Sequence, residues 1–212
     1  MKKYHKIETV HLRDEKTHKL TENFRNKKVE YLKDNEWIFT EKIDGTNIRV
    51  LWDGHTFTFA GRTDKAQIPK PLFQRLTDMF LNDEMEQVFE QKFGENNVML
   101  YGEGYGVKIQ NGGAYSDTQE FILFDVEING VYLDKENVND IASSLGLNVV
   151  PIIDVGYFND IQTAVEYIKT NPQSQLGKKD MEGVVGVPKV RLFDENGDRL
   201  IVKIKTKDYK ER

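Results

Sequence analysis

The stretch "TEKIDGTNIRV", residues 40–50, carries the most information about how this chain folds. The pair Asp44-Gly45 at its centre is typical of a two-residue hairpin turn, because both central positions of such a turn must accept positive φ. The pattern therefore predicts one strand before the pair and a second strand after it. A hairpin alone needs neither the lysine at position 42 nor the amide of Asn47, so the segment also raises a question of chemistry.

The composition limits the classes of function. A chain of 212 residues is long enough for one substantial domain with a small subdomain. Its net charge of -5 means that a nucleic acid would have to bind a local basic patch. The absence of cysteine excludes disulfides, thiolate metal sites and cysteine catalysis, and it fits a cytoplasmic location. No apolar run approaches the length of a membrane span, so no membrane partner is expected.

Beyond the opening segment, strands alternate irregularly with helices, which predicts an α+β fold. Two further hairpin signals are Asp53-Gly54 and Asn129-Gly130, and the first of them would complete a three-stranded antiparallel meander. Apolar residues at intervals of three and four predict a helix over 71–94, interrupted near Asn82. The other predicted helices cover 134–146 and 160–172, the later strands cover 98–107, 120–128, 148–153, 181–188 and 199–205, and a turn is predicted around Asn196-Gly197. Residues 1–35 are predicted to form an irregular basic arm with short strands.

Lys42 is either a solvated strand lysine or a nucleophile. A free lysine has a pKa near 10.4, so a nucleophilic lysine needs burial or neighbouring cations to lower its pKa. The segment "VKIK" at 202–205 places Lys203 and Lys205 on one face of a strand, where they could act on Lys42 and bind a phosphate. The alternative is an edge strand protected by lysines.

Other polar or aromatic residues have two interpretations each. Glu103 and Glu182 occur within apolar strands, where they could hold Mg²⁺ or a ribose hydroxyl, or could face water. Arg62 could bind phosphate or be an ordinary surface arginine. Phe124 could stack on a base or belong to the core.

Taken together and in order, these pieces resemble the covalent nucleotidyltransferases, which comprise ATP-dependent polynucleotide ligases and capping enzymes. Within that superfamily the chain is most similar to the RNA ligases of the RNA ligase 2 type, the phage-like nick-sealing enzymes of RNA repair. The segments that carry the resemblance are "EKIDGTN" (41–47), "GRT" (61–63), "YGEGYG" (101–106), "FILFDV" (121–126), "MEGVV" (181–185) and "VKIK" (202–205).

The resemblance implies a role for each matching residue. Lys42 would form a covalent lysine-AMP, with Asp44 beside it and Lys203 and Lys205 on the α-phosphate. Glu182 would act in catalysis and, with Glu103, would hold the metal. The implied ATP-binding residues are Glu41, Lys42, Asn47, Arg62, Glu103, Phe124, Glu182, Lys203 and Lys205, with Glu103 on the ribose and Phe124 on the adenine. Many RNA ligases of this type have histidine where Asp44 stands, whereas aspartate is usual in DNA ligases.

The implied fold is a nucleotidyltransferase (adenylation) domain of antiparallel sheets flanked by helices, with the ATP pocket between the sheets. It would span residues 36–212, with the basic arm 1–35 packed on it and no OB-type or other C-terminal domain. The implied cofactors are ATP and Mg²⁺ or Mn²⁺.

The implied activity is transfer of AMP from Lys42 to an RNA 5′-phosphate, followed by joining to a 3′-OH. The substrate would be a nicked duplex or a pair of free ends, with a separate substrate-binding protein as a further partner. Arg49, Arg62 and the basic arm are the expected contacts with the nucleic acid. The alternatives are a DNA ligase, a GTP-dependent capping guanylyltransferase and a degenerate nucleic-acid-binding domain.

Overall fold

The computed structural model describes residues 1–154, 159–193 and 197–209. Its helices are α1 Lys27–Tyr31, α2 Lys70–Phe80, α3 Asp83–Phe93, α4 Lys135–Ser144 and α5 Ile161–Lys169. Its strands are β1 Glu8–Thr9, β2 His11–Arg13, β3 Leu20–Phe24, β4 Trp37–Glu41, β5 Thr46–Trp52, β6 Phe57–Ala60, β7 Val98–Gly106, β8 Gln119–Ile128, β9 Val131–Tyr132, β10 Gly183–Pro188 and β11 Val202–Lys205. The predicted α+β class is confirmed, with mainly antiparallel sheets and few helices.

The chain divides into two compact units. The five-stranded unit consists of Met1–His5 and Asp44–Val150, and the four-stranded unit consists of Lys6–Ile43 and Pro151–Arg212. Each unit has its own sheet and its own apolar core.

The five-stranded unit is built on an antiparallel sheet with the strand order β6-β5-β7-β8-β9. Helix α2 contributes Leu72, Leu76 and Phe80 to the core, at intervals of four residues that place them on one face of the helix. Helix α3 begins at its N-cap Asn82, whose side chain accepts a hydrogen bond from the Met85 amide at 2.9 Å. The interruption predicted near Asn82 is therefore confirmed.

The four-stranded unit has the strand order β1-β11-β10-β4. Strand β1 pairs in parallel with β11, whereas β10 is antiparallel to both of its neighbours. Helix α5 begins in a capping box formed by Asp160 and Thr163 and buries Ile161, Ala164, Val165 and Ile168 in the core of this unit. Strands β2 and β3 form a separate two-stranded ribbon.

The hairpin predicted at Asp44-Gly45 is wrong. Strand β4 pairs with β10 and strand β5 pairs with β6 and β7, so residues 42–45 connect two different sheets. Neither Asp44 nor Gly45 has positive φ. The glycine is needed for another reason: a Cβ at position 45 would lie 2.3 Å from the carbonyl oxygen of Gly104.

The meander that included this hairpin is wrong as well, although its second turn is correct. Strands β5 and β6 form an antiparallel hairpin around Asp53-Gly54, and β8 and β9 form one around Asn129-Gly130. Asn129 and Gly130 both have positive φ, as a two-residue hairpin turn requires.

Three details of the rest of the chain differ from the prediction or lie partly outside the described residues. The strand predicted over 148–153 is reduced to isolated bridges at Val149 and Ile152. The short helix α1 in the arm was not predicted. The turn predicted around Asn196-Gly197 includes Asn196, which lies outside the described residues. Within the described part of the chain, no helix is both long enough and apolar enough to cross a membrane.

Candidate active site

In the four-stranded unit, the predicted site lysines lie on one face of the sheet, in two neighbouring rows of cross-strand partners. Val185 on β10 lies opposite Thr40 on β4 and opposite Lys203 on β11. In the next row, the Lys42 amide donates to the Gly183 carbonyl at 2.9 Å, and Gly183 lies opposite Lys205. Because residues opposite one another in a sheet share a face, Lys203 and Lys205 point to the same side as Lys42.

Glu182, directly before β10, joins two of these lysines. Its Oε2 lies 2.6 Å from Lys42 Nζ, and its Oε1 lies 3.0 Å from Lys205 Nζ. The three side chains are only 17 to 23% exposed. One carboxylate therefore bridges two ammonium groups at the end of the sheet, which is a charge arrangement that a phosphate group could reproduce.

Lys203 lies in the same cationic cluster and is half-buried. Burial lowers its pKa, and the charges of Lys205 and Lys42 lower the pKa further. The effect of the two lysines of "VKIK" on the pKa of Lys42 stays a prediction.

Glu41 lies on the opposite, core-facing side of β4. It is 1% exposed, and its carboxylate accepts hydrogen bonds from the Ser174 hydroxyl and from the Gln175 amide at 2.8 Å. Burial raises its pKa, although these hydrogen bonds and the charge of Lys179 act in the opposite direction. Its carboxylate thus anchors the segment at 174–175, which sequence reasoning had not connected with it.

The five-stranded unit carries the other predicted residues, beginning with Asn47 and Glu103. These two lie directly opposite each other on β5 and β7. The Asn47 Oδ1 atom is buried and has no hydrogen-bond partner among the described residues. A buried amide oxygen of this kind is rare in folded proteins, and a bound ligand would satisfy it.

Asp44, at the start of the five-stranded unit, is held by the segment that follows β7. Its amide donates to the Tyr115 hydroxyl at 3.3 Å, and its Oδ2 accepts from Asn111 Nδ2 at 3.1 Å. Lys108 and Gln110 in the same segment have positive φ, which is uncommon for residues other than glycine.

Phe124 occupies a special position on β8. The register between β7 and β8 shifts so that Tyr101 lies opposite Asp125 and Gly102 lies opposite Leu123, which leaves Phe124 as the extra residue of a β-bulge. Bulges re-aim side chains and are common beside binding sites. The Phe124 ring is half-buried, with the ring of Tyr4 packed edge-on at a centroid distance of 5.1 Å.

Asp125, to which sequence reasoning assigned no role, is fully buried next to the bulge. Its Oδ2 accepts from the Tyr4 hydroxyl at 2.7 Å. The first residues of the chain therefore form part of this unit, and Tyr4 contacts both residues of the "FD" pair. No motif in the sequence indicated Tyr4.

The two arginines expected to contact nucleic acid have different environments. Arg62, just after β6, is exposed. Arg49 is 0% exposed and donates to the carbonyls of Gly61 and Met1 at 2.8 Å each, as well as to Asp64. The expectation that Arg49 contacts nucleic acid is wrong, because its guanidinium is enclosed and hydrogen-bonded inside the unit.

No group of three or more His, Cys, Asp or Glu side chains in the described residues could hold a metal ion. Both oxygens of Glu182 are occupied by lysines. Mg²⁺ in enzymes is commonly bound by one or two carboxylates together with substrate phosphates. This donor set therefore suits a metal that arrives with a nucleotide and not a protein-only metal centre.

Comparison with known proteins gives a consistent result. The RNA ligase family profile matches residues 35–205. No curated protein sequence matches the chain significantly.

Solved structures with this fold include RNA ligase of Naegleria gruberi. A variant solved with ATP and Mn has a TM-score of 0.65 and 18% identity, over 86% of this chain and 52% of that one. A complex with PPi has a TM-score of 0.65 and 20% identity, over 86% and 53% of the two chains. At this identity the likeness shows the fold, and the chain spans about half the length of those structures.

Proposed function

Because the chain belongs to the RNA ligase family, we propose that it is an ATP-dependent RNA ligase that first transfers AMP to its own Lys42. The observation that carries the proposal is the Lys42–Glu182–Lys205 arrangement. It places the proposed nucleophile Lys42 and a second cation, Lys205, each within 3.0 Å of the Glu182 carboxylate at the end of one sheet. These are the components that attack on a phosphate requires.

In the proposed first step, the neutral amine of Lys42 attacks the α-phosphorus of ATP. A P–N bond forms, and the P–O bond to the β-phosphate breaks. The leaving pyrophosphate takes the electron pair of that bond. The Glu182 carboxylate, 2.6 Å from Nζ, is placed to accept the proton that Lys42 must lose. Lys205 and Lys203 neutralise charge on the phosphate oxygens.

We assign the nucleoside contacts to residues of the five-stranded unit. Phe124 would stack on the adenine and Glu103 would accept from a ribose hydroxyl. Arg62 is an exposed cation suited to binding a phosphate. The buried Oδ1 of Asn47 has no hydrogen-bond partner among the described residues, which supports a polar contact between Asn47 and the ligand. Asp44 belongs to the same motif as Lys42. Glu41, the residue before Lys42, is held on the core side of β4 by its hydrogen bond with Ser174.

A divalent metal, Mg²⁺ or Mn²⁺, would neutralise charge on the nucleotide phosphates when bound. Glu182 and Glu103 are the carboxylates that we propose could contribute to holding it. Since Glu182 already contacts two lysines, its contribution would follow the release of at least one of them.

In the later steps the enzyme would move AMP from Lys42 to a 5′-phosphate of RNA and join that end to a 3′-OH. We propose a nicked RNA duplex as the preferred substrate, with a separate substrate-binding protein as a further partner, and the cytoplasm as the location. Asp44, which is usual in DNA ligases, makes nicked DNA the competing substrate. Sealing of pre-adenylylated nicks in RNA and in DNA, compared at matched salt, distinguishes the two.

The first step is tested by incubation with α-labelled ATP and a divalent cation, followed by denaturing electrophoresis. The wild type should carry label that survives detergent but not acid, as a phosphoamide does. Lys42→Ala should carry none. Lys189→Ala is the matched control, because Lys189 is an exposed lysine of the same unit that pairs with Glu36 at the surface.

Label that persists in Lys42→Ala would contradict the assignment of the nucleophile. Label from GTP but not from ATP would assign the chain to the capping guanylyltransferases. A wild type that binds RNA but takes no label from either nucleotide would support the degenerate binding domain.

A further inference from the structure

The four-stranded unit contains a cavity of about 250 Å³ beside its lysine rows. The residues that line it are Lys6, Ile7, Glu8, Thr9, Arg13, Arg25, Lys203, Lys205 and Lys207. Six of these side chains are cationic and only Glu8 is anionic. In a protein with a net charge of -5, this concentration of positive charge is local and needs a cause.

Most of these cations come from the N-terminal arm and not from the family motifs. Strand β1 supplies Glu8 and Thr9, β2 supplies Arg13, and Arg25 directly follows β3. Strand β1 is fixed against β11, because Thr9 pairs in parallel register with Lys203. The arm is thus part of the sheet that carries Lys203 and Lys205, and it brings its charges to the same place.

Among the described residues, carboxylates compensate only part of the positive charge of the cavity, and one of them is Glu182, which pairs with Lys205 at 3.0 Å. Glu8 is shared between Lys6 at 3.1 Å and Arg25 at 2.9 Å. Arg13 pairs with Asp208 at 2.6 Å. Lys203 lies near Lys205 and Lys42; burial lowers its pKa most, and the charges of these two lysines lower it further, although the charge of Glu8 acts in the opposite direction.

The position of the cavity relates it to the chemistry of Lys42. The strands follow the order β4, β10, β11, β1 across the sheet, with neighbours about 4.8 Å apart. An α-phosphate held by Lys42 and Lys205 would lie over β10 and β11. In phosphoryl transfer the leaving group departs on the side opposite the nucleophile. The side of the α-phosphate opposite Lys42 faces β11 and β1, and the cavity lies at these two strands.

We propose that this cavity, formed by the N-terminal arm against β11, binds a diphosphate: the β- and γ-phosphates of ATP before the reaction and free pyrophosphate after it. The assignment of the diphosphate to ATP rests on the proposed function, whereas the binding site itself is inferred from the residues that line the cavity. Its new residues are Lys6, Arg13, Arg25 and Lys207.

The shape of the site favours a compact polyanion over a nucleic-acid backbone. The volume of about 250 Å³ lies below the range of about 300–1,000 Å³ typical of pockets for larger ligands. The cations converge on one cavity from β1, β2, the end of β3 and the segment after β11, whereas backbone-binding surfaces spread cations along a groove. A diphosphate offers charge on all sides, which suits convergent donors.

The direct test is calorimetric binding of inorganic pyrophosphate to the full chain in buffer without a divalent cation. The double variant Lys6→Gln/Arg25→Gln should weaken pyrophosphate binding at least about tenfold, since each substitution removes a charge-assisted contact. Lys27→Gln, an exposed lysine of α1 outside the cavity, should bind like the wild type. AMP, which lacks the second phosphate, should bind the double variant as it binds the wild type.

Glu8→Gln gives a prediction of the opposite sign. It removes the one carboxylate of the cavity, so pyrophosphate should bind several-fold more tightly than in the wild type. A purely structural role for the ion pairs of Glu8 predicts weaker binding in both variants. Thermal melting confirms that each variant is folded before its affinity is interpreted.

Kinetics connect the site with the reaction. In Lys6→Gln/Arg25→Gln the KM for ATP in self-labelling should rise about tenfold, while sealing of a pre-adenylylated nick, which uses no pyrophosphate, should stay within about twofold. If the variant instead loses sealing and keeps pyrophosphate binding, the cavity serves the nucleic acid and the proposal is overturned.

Absence of pyrophosphate binding in the wild type would also overturn the proposal. A wild type that binds pyrophosphate but takes no label from ATP would retain the diphosphate site and refute the proposed function. The two failures are therefore distinguishable.

Discussion

The two units use buried and half-buried charge in opposite ways. In the five-stranded unit the guanidinium of Arg49 is fully enclosed and hydrogen-bonded to backbone carbonyls and Asp64. In the four-stranded unit Lys42, Lys203 and Lys205 share one face of a sheet, with Glu182 between two of them.

The difference separates a charge whose hydrogen bonds are made within its own unit from charges that a bound anion could compensate. The hydrogen-bonding capacity of Arg49 is used by fixed groups of the chain, so a ligand would have nothing to gain from it. The lysine cluster has more positive charge than its neighbours neutralise, and an anion would lower its energy. Substitutions in the two units should therefore change different measured quantities.

The largest effect is expected for the structural charge. Arg49→Met should lower the free energy of unfolding by about 3 kcal/mol or more, because the buried carbonyls of Gly61 and Met1 lose charged donors. Urea denaturation followed by circular dichroism measures this. Arg62→Met is the control and should change stability by less than about 0.5 kcal/mol, since Arg62 is exposed. Equal stability of the two variants would contradict the structural role of Arg49.

Glu182→Gln should show the reverse profile. Loss of the carboxylate beside Lys42 should slow self-labelling with ATP about a hundredfold, the lower end of the usual range for a positioned acid–base group. The melting temperature should fall by only a few degrees. A wild-type rate of labelling would show that the carboxylate has no part in the chemistry, and a collapse of the fold would make it a structural residue like Arg49.

Phe124→Leu tests a residue of the five-stranded unit that is proposed to face the ligand. The substitution keeps apolar volume and removes the aromatic face, so the KM for ATP should rise about fivefold or more, in line with the usual worth of stacking on a base. The unfolding free energy should change by less than about 1.5 kcal/mol. An unchanged KM with a large loss of stability would mean that the ring serves only the core around Tyr4.

The smallest effect concerns pH and the core side of β4. Burial raises the pKa of Glu41 above its ordinary value of 4.5, so protonation favours the folded state. The resulting contribution to stability is fully present below about pH 4.5 and is lost as the pH rises through the folded pKa. Between about pH 4 and about pH 7 the wild type should therefore lose stability relative to Glu41→Gln, as measured by urea denaturation. A difference that does not vary with pH would contradict this.

The sequence predicted the local elements well where a single segment contains the whole signal. The Asn129-Gly130 turn and the interruption at Asn82 depend on neighbouring residues alone, and both are correct. The turn at Asp44-Gly45 failed because β4 and β5 find their partners far along the chain, in β10 and β7. Turn propensity could not compete with those long-range pairings.

In the candidate site, too, the features that depend on neighbouring residues alone were predicted and those that depend on distant residues were not. The side-by-side placement of Lys203 and Lys205 follows from strand periodicity and is correct. The enclosure of Arg49 depends on Met1 and Asp64, and the bulge at Phe124 depends on the register against β7. Neither could be found without the fold, because each is decided by residues remote in sequence.

The bridging position of Glu182 has a consequence for anion selectivity. With its carboxylate between Lys42 and Lys205, the pair of lysines is already neutralised in part, so a small monovalent anion such as chloride would gain little by entering. Only a ligand with several negative charges can displace the carboxylate and still leave the cations better compensated. If the lysines bind ATP as proposed, Glu182 would compete with small anions for them and would favour the binding of polyphosphates over chloride.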